Sequence, residues 1–201
     1  MKKIVASLVF IITSGQILLA QSYLEIAKED SKVGFTLSRL LAFQINGSFN
    51  KVSGSLTFSR ADFSDAQFQF DIDAKSVRTN NSVRDRYIKS PGFLDVLKYP
   101  EISFKSTSFV NAWGKYYLLF GKFTIKGITK PARFKVIYMG AKKDKNGKTK
   151  MIFSAKTILN RFDYGLKWNL KSGGGMELPG KKVAIYAILE FQDGRDNIGR
   201  R

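Results

Sequence analysis

Cysteine and histidine are both absent from this chain of 201 residues. Their absence removes a thiolate nucleophile, a Ser-His-Asp triad and any zinc site built from His or Cys. It also removes disulfides, which says nothing of compartment, because exported proteins often fold without them. A hard cation would need a loop of closely spaced acidic ligands, and the sequence offers none. Acid is scarce in general: 16 Asp and Glu stand against 34 Lys and Arg, a formal net charge of +18. Such a surface attracts anions, among them lipid head groups, pyrophosphates and polyanions.

Apolar residues make up 44% of the chain, with 17 Phe and 8 Tyr. That is enough for one domain with a ring-rich core. Residues 1–20 are a separate object. Lys2 and Lys3 precede a mostly apolar run from Ile4 to Leu19, and Ala20 offers a small residue for cleavage. This is the layout of a signal peptide, with the mature domain at 21–201 placed in the periplasm or secreted. The alternative is an uncleaved anchor, but Ser7, Thr13, Ser14, Gly15 and Gln16 interrupt a run already short for a span. Removing 1–20 takes away two Lys and no acid, so +18 falls to +16. With no Cys there is no lipid-modified Cys at the cut. An exported protein rarely meets nucleic acid, so none is expected as a partner.

Period-2 alternation runs through the mature chain. Val33, Phe35 and Leu37 share one parity, as do Phe68, Phe70 and Ile72. So do Tyr117, Leu119, Phe123 and Ile125, then Phe134, Val136 and Tyr138, and finally Val183, Ile185, Ala187 and Leu189. Each run reads as a strand with one dry face. Turn signals such as Asn46-Gly47, Asn111 to Gly114 and Asn146-Gly147 separate them, which favours antiparallel hairpins. About eight such strands fit a barrel or a sandwich.

The pattern fails once, in "RDRYIKSPGFLDVLKYPEISF", residues 84–104. Val83, Tyr87 and Ile88 fall at helical spacing, and Ser90-Pro91 reads as the start of a second short turn bringing Phe93, Leu94 and Leu97 inward. The passage is expected to form one or two short helices across a barrel end, as a plug or as a lid.

Other motifs do not hold. "GKT" at Gly147 to Thr149 has the wrong spacing to Gly140 for a phosphate loop, and a strand rather than a helix follows. Gly173 to Gly175 reads as a flexible connection, and Asp71 and Asp73 as a solvated strand face. In "ILNRFDYGLKW", residues 158–168, Asn160, Arg161 and Asp163 sit among apolar side chains. Either an Arg–carboxylate pair ties down a turn there, or these groups meet a ligand.

The string "IDAKSVRTNNSVRDRYIKSPGFLDVLKYPEISFKST" resembles the signature of the YceI-like family, a strand, then "RD…S…F.D…YP", then "F.S". The resemblance continues at "GKFTIKGITKPARFKV", "ILNRFDYGLKW", "VGFTLSRLLAFQINGSFNKVSGSLTF" and "KVAIYAILEF", in order, across residues 31–191. It implies an all-β, eight-stranded antiparallel, lipocalin-like barrel that is exported, is not an enzyme and holds a polyisoprenoid or similar long-chain lipid in its lumen without any cofactor. Family members often carry His where this chain has Arg39 and Tyr87, so no His-dependent contact is carried over there. Asn80 stands where Gly is common.

On this reading the lumen candidates are Phe35, Phe68, Phe70, Phe104, Phe123, Phe134, Phe153 and Trp168. Arg39, Arg84, Asn160 and Arg161 are candidates for a head group at the mouth, with Asp85 as a partner for one Arg. An eight-stranded barrel can equally be filled by its own side chains. The chain would then be an exported adaptor whose basic surface meets an anionic membrane or a protein. Transient membrane contact and a homodimer are compatible with either.

Overall fold

A computed structural model of the chain describes residues 21–39, 43–167 and 180–194, so the segment 1–20 and Trp168 lie outside the described residues. Among them, eleven strand segments form one antiparallel sheet. They are β1 (Ser22–Ile26), β2 (Lys32–Arg39), β3 (Phe43–Phe49), β4 (Val52–Phe58), β5 (Gln67–Asp73), β6 (Val77–Arg78), β7 (Glu101–Trp113), β8 (Tyr116–Ile125), β9 (Ile128–Lys143), β10 (Thr149–Asn160) and β11 (Lys182–Asp193). The order β1-β4-β5-β7-β8-β9-β10-β11 closes on itself through pairing of β1 with β11. The result is a closed eight-stranded antiparallel barrel.

The three remaining segments explain the excess over eight. β2 pairs with β11 below β1, β3 pairs with β2, and β6 pairs with β3. Each continues a stave of the ring after an interruption: β1 into β2, β4 back into β3, β5 into β6. The three interruptions are stitched by side chains. Ser31 Oγ accepts from the Glu190 amide at 3.0 Å. Ser76 Oγ accepts from the Lys51 amide at 3.2 Å and donates to the Asp73 carbonyl at 2.6 Å. These bonds satisfy polar backbone that the broken ladders would otherwise leave unpaired.

One helix, α1 (Ser82–Lys89), lies among the described residues. Asn81 caps it, its side chain accepting from the Arg84 amide at 2.9 Å. Asn80 just before it has φ +58°, a left-handed conformation that Asn tolerates better than most residues and Gly adopts freely. Ser90 ends α1 as its C-cap, and residues 91–98 continue as turns rather than a second helix. Leu97 was expected to face inward but is exposed; Val96 is buried in its stead, because the chain runs in turns there and not at helical spacing. Val83 also faces solvent.

The passage 79–100 fills the gap between β6 and β7, where no strand pairing closes the wall. Ala74 donates to the Pro100 carbonyl at 2.8 Å, Lys126 Nζ to the Pro91 carbonyl at 3.0 Å, and the Tyr99 ring lies over Gly127. A side chain at Gly127 would collide with that ring. Gly47 is similarly required by the Phe35 ring, which crosses its position.

The alternating residues point inward as their parity requires. Phe104, Phe123, Phe153 and Phe191 are among the largest fully buried side chains. The two barrel ends are distinct. The hairpin end carries the β7–β8 and β9–β10 turns, and the lidded end carries α1 and the β8–β9 turn.

Candidate functional site

The interior changes character along its axis. At the hairpin end Phe63, in the turn between β4 and β5, inserts a buried ring with φ +61°. It meets Phe58, Tyr138 and Phe153 at centroid distances of 5.0, 5.2 and 5.8 Å. Below it Phe68 packs on Phe109 at 4.8 Å, Phe153 at 5.5 Å and Phe191 at 5.9 Å. Further down, Phe70 and Phe104 stack at 4.9 Å, and Phe134 stands on edge to Phe104 at 5.1 Å. Edge-to-face and offset contacts of this kind contribute beyond area burial alone. Between these rings the lumen narrows to a void of about 20 Å³.

Towards the lidded end a second void of about 70 Å³ opens beneath α1. Among the described residues no polar side chain lines it; Phe35 and Leu37 from β2, Ile88 from α1, Phe93 and Leu94 after it, and Leu166 form much of its wall. Val33, Ile72, Phe123 and Ile185 border both voids, so the two are consecutive chambers of one lumen. A void of this polarity stays dry and suits hydrocarbon. Of the lumen candidates, Phe35 and Phe123 line the larger chamber, and Phe68, Phe70, Phe123, Phe134 and Phe153 line the smaller. Phe104 is buried in the ring stack between strands.

The polar candidates gather at the lidded end. Asp85 is buried and its Oδ1 accepts from the Thr79 amide at 2.8 Å and the Thr79 hydroxyl at 2.6 Å. Arg84 donates from Nε to the same hydroxyl at 2.8 Å and from a terminal nitrogen to the Thr79 carbonyl at 2.6 Å. The expected Asp85 partnership with an Arg is thus replaced by a shared clasp on Thr79, which pins α1 to β6. Arg84 is half-buried, and the clasp engages its Nε and one terminal nitrogen.

Arg161 is 2% exposed. It donates to the Leu166 carbonyl and, from Nε, to the Gly180 carbonyl at 3.0 Å, with its guanidinium 4.4 Å above the Phe162 ring. Burial lowers its pKa from the ordinary guanidinium value, with the neighbouring Tyr87 acting in the other direction. Asn160 is exposed and caps the following turn, accepting from the Phe162 amide at 3.2 Å and donating to Asp163 at 2.9 Å. Tyr164 in that turn is buried, and burial followed by the charge of Asp163 pushes its phenol up to about 12. Arg39 ends β2 at the same end of the barrel; its side chain lies outside the described residues.

Two polar features escaped the sequence reading. Lys150 and Glu190, on the outer face near the hairpin end, are both buried. Lys150 Nζ lies 2.5 Å from Asp30, whose carboxylate holds it above the ordinary lysine value, and Lys142 Nζ donates to Glu190 at 2.7 Å. Alternation carries no sign of such a pairing, because its partners lie 120 and 48 residues apart. The second is a surface groove of about 970 Å³ that crosses the three strand interruptions. Asp71 and Asp73, expected as a solvated strand face, both lie in it half-buried, with the exposed Glu101 beside Asp71. Desolvation raises the carboxyl pKa values of Asp71 and Glu101, and the charge of Asp71 raises that of Glu101 further. The groove shares Val33, Gly34, Phe49 and Ile72 with the larger chamber, so a single layer of side chains separates them.

A family model described as the YceI-like domain matches residues 24–191. A UPF0312 protein of Pseudomonas putida strain W619 is 32% identical over 157 residues, covering 78% of this chain and 82% of its own. Among solved structures, BcnA of Burkholderia cenocepacia aligns with a TM-score of 0.69 at 21% identity, covering 82% of this chain and 98% of its own. A domain from Saccharophagus degradans described as polyisoprenoid binding, and implicated in plant cell wall breakdown, aligns with a TM-score of 0.63 at 15% identity, covering 87% and 99%.

Proposed function

The chain belongs to the YceI-like family, and on that premise we propose that it is an exported binding protein, not an enzyme, that holds one long apolar chain of the isoprenoid kind in its lumen beneath α1. The observation that carries this reading is the chamber of about 70 Å³ with no polar side chain among the described residues of its wall. The polyisoprenoid-binding description of the Saccharophagus degradans domain, which shares the fold, supports it. The basic leader ahead of an apolar run supports export with cleavage near Ala20.

A tail longer than a few carbons needs more room than the chamber offers. The side chains that must yield are Ile88, Phe93 and Leu94, because they hang from a segment held at its flanks by polar ties rather than by strand ladders. Each methylene buried on entry contributes about 0.8 kcal/mol, so some ten give about 8 kcal/mol before the cost of ordering the tail and moving the lid. Arg84 is the residue assigned to an anionic head group. Its clasp on Thr79 fixes the guanidinium plane through Nε and one terminal nitrogen, and its half-buried place holds the charge at the mouth. Arg161, Asp85 and Asn160 serve the frame of the mouth, since their polar atoms are engaged with the fold.

The rings packed between Phe63 and Phe191 favour a second reading, a filled-core adaptor. The two separate by extraction. Protein recovered from its own compartment, extracted with organic solvent and analysed by mass spectrometry, is expected to release an isoprenoid or another long-chain lipid. Repeated extracts without lipid, together with no uptake of an added isoprenoid, would leave the adaptor standing.

A further inference from the structure

The outer wall of β7, β8 and β9 combines one sign of charge with an exposed aromatic band. From Ile102 to Lys143 the chain contains no Asp or Glu, while nine Lys and Arg occur. Apart from Glu101 at the lidded end of β7, these three consecutive strands therefore present a wall of one charge sign. At its hairpin end this wall is also apolar. Val110, Trp113, Tyr116 and Met139 are exposed, Trp113 by 76%. The register joins them: Val110 lies opposite Leu118, Trp113 opposite Tyr116, and Tyr116 opposite Ile137, all on the outward parity.

The tip is preorganised. Asn111 Nδ2 donates to the Gly114 carbonyl at 2.7 Å, and the Trp113 and Tyr116 rings stack at 5.6 Å with an interplanar angle of 9°. Lys115 stands at the same turn. Lys143, Lys145 and Lys148 project from the neighbouring β9–β10 turn and are exposed. The one acid of that turn, Asp144, is turned inward and accepts from the amides of Asn146 and Lys148. Tyr and Trp beside an apolar band, ringed by Lys, match the layers of a bilayer interface: hydrocarbon edge, head groups, anionic surface.

We propose that this hairpin-end wall of β7–β9 docks the protein on an anionic lipid bilayer. A second copy of the chain is a poorer occupant, because apposed walls would set like charges against each other. A nucleic acid would meet the lysines but leave the apolar band wet. Docking here goes beyond ligand binding and is independent of it, since the band lies away from the lidded end.

The test uses the purified protein at low salt with vesicles of phosphatidylglycerol and phosphatidylcholine in equal parts, against vesicles of phosphatidylcholine alone. Co-sedimentation with the anionic vesicles only, loss of binding at high salt and a blue shift in tryptophan emission are expected. Trp113→Ala should abolish the blue shift. Lys143→Glu with Lys145→Glu should weaken partition by about tenfold or more. Lys28→Glu with Lys32→Glu changes net charge equally on the opposite side of the barrel, and should weaken it far less. Circular dichroism confirms that each variant folds. Equal losses in both lysine pairs, no vesicle binding, a duplex oligonucleotide bound as tightly as the vesicles, or a dimer in solution that Trp113→Ala dissociates would each overturn the proposal.

Discussion

The hairpin end of the barrel is packed ring on ring, while the lidded end is lined by mixed aliphatic and Phe side chains around a chamber and closed by a segment without strand pairing. The first is held by closely spaced aromatic contacts among Phe63, Phe68, Phe109, Phe153 and Phe191. The second is held by polar ties outside the apolar space, chiefly the Thr79 clasp and the carbonyls gripped by Arg161. One barrel thus separates rigidity from capacity. Interiors tolerate little slack where side chains interdigitate, and a replaceable cover can move only where its fastenings lie off the core.

The contrast is sharpest at Phe153, which touches five other rings. Phe153→Ala should cost about 4 kcal/mol in urea unfolding, because the surrounding rings are fixed by each other and cannot collapse into the space. A cost of about 1 kcal/mol would show that the hairpin end is no tighter than the lidded one. Leu94→Ala, on the cover, should cost about 2 kcal/mol in the same measurement, as it widens a chamber that already exists. It should also tighten uptake of an isoprenoid alcohol in fluorescence-displacement titration. A loss matching that of Phe153→Ala, with no gain in uptake, would place the cover within the rigid core.

A smaller effect is expected at the junction of the two ends. In the fold, burial raises the pKa of Asp71, so its carboxyl binds a proton more tightly than in the unfolded chain. Its contribution is therefore intact in acid and is lost as pH rises through the raised value. Asp71→Asn should raise the melting midpoint by about 1–3 °C at pH 7 and leave it unchanged near pH 3. A gain of the same size at both pH values would assign the effect to something other than titration.

Much of the barrel was legible because parity is a local property. Tyr117, Leu119, Phe123 and Ile125 alternate in the sequence and are all buried in β8. The three strand interruptions were not legible. They depend on which segments pair across the sheet, and no residue in Asn50-Lys51 announces that Ser76 will bridge it. The plug at Phe63 was missed for a related reason: it lies in a polar turn, and only the tertiary fold shows its ring buried among four others. The interlude at 84–104 was legible as a break in pattern, and its position over one end followed. Its inner face was only partly legible, since Val96 took the place assigned to Leu97. At the mouth, residue type pointed to Arg84 and Arg161 alike. Burial tells them apart, and burial of an Arg is set by neighbours such as Gly180 that lie far along the chain.

The ladder of β6 to β3 is two residue pairs long, and beyond β6 stands α1 rather than another strand. Below the interruptions the tube is therefore laddered along one side only, and the other side is buttoned by turns and side chains, like the cuff of a sleeve. Parting that seam would break the Thr79 clasp and the bonds to the Pro91 and Pro100 carbonyls rather than a strand ladder.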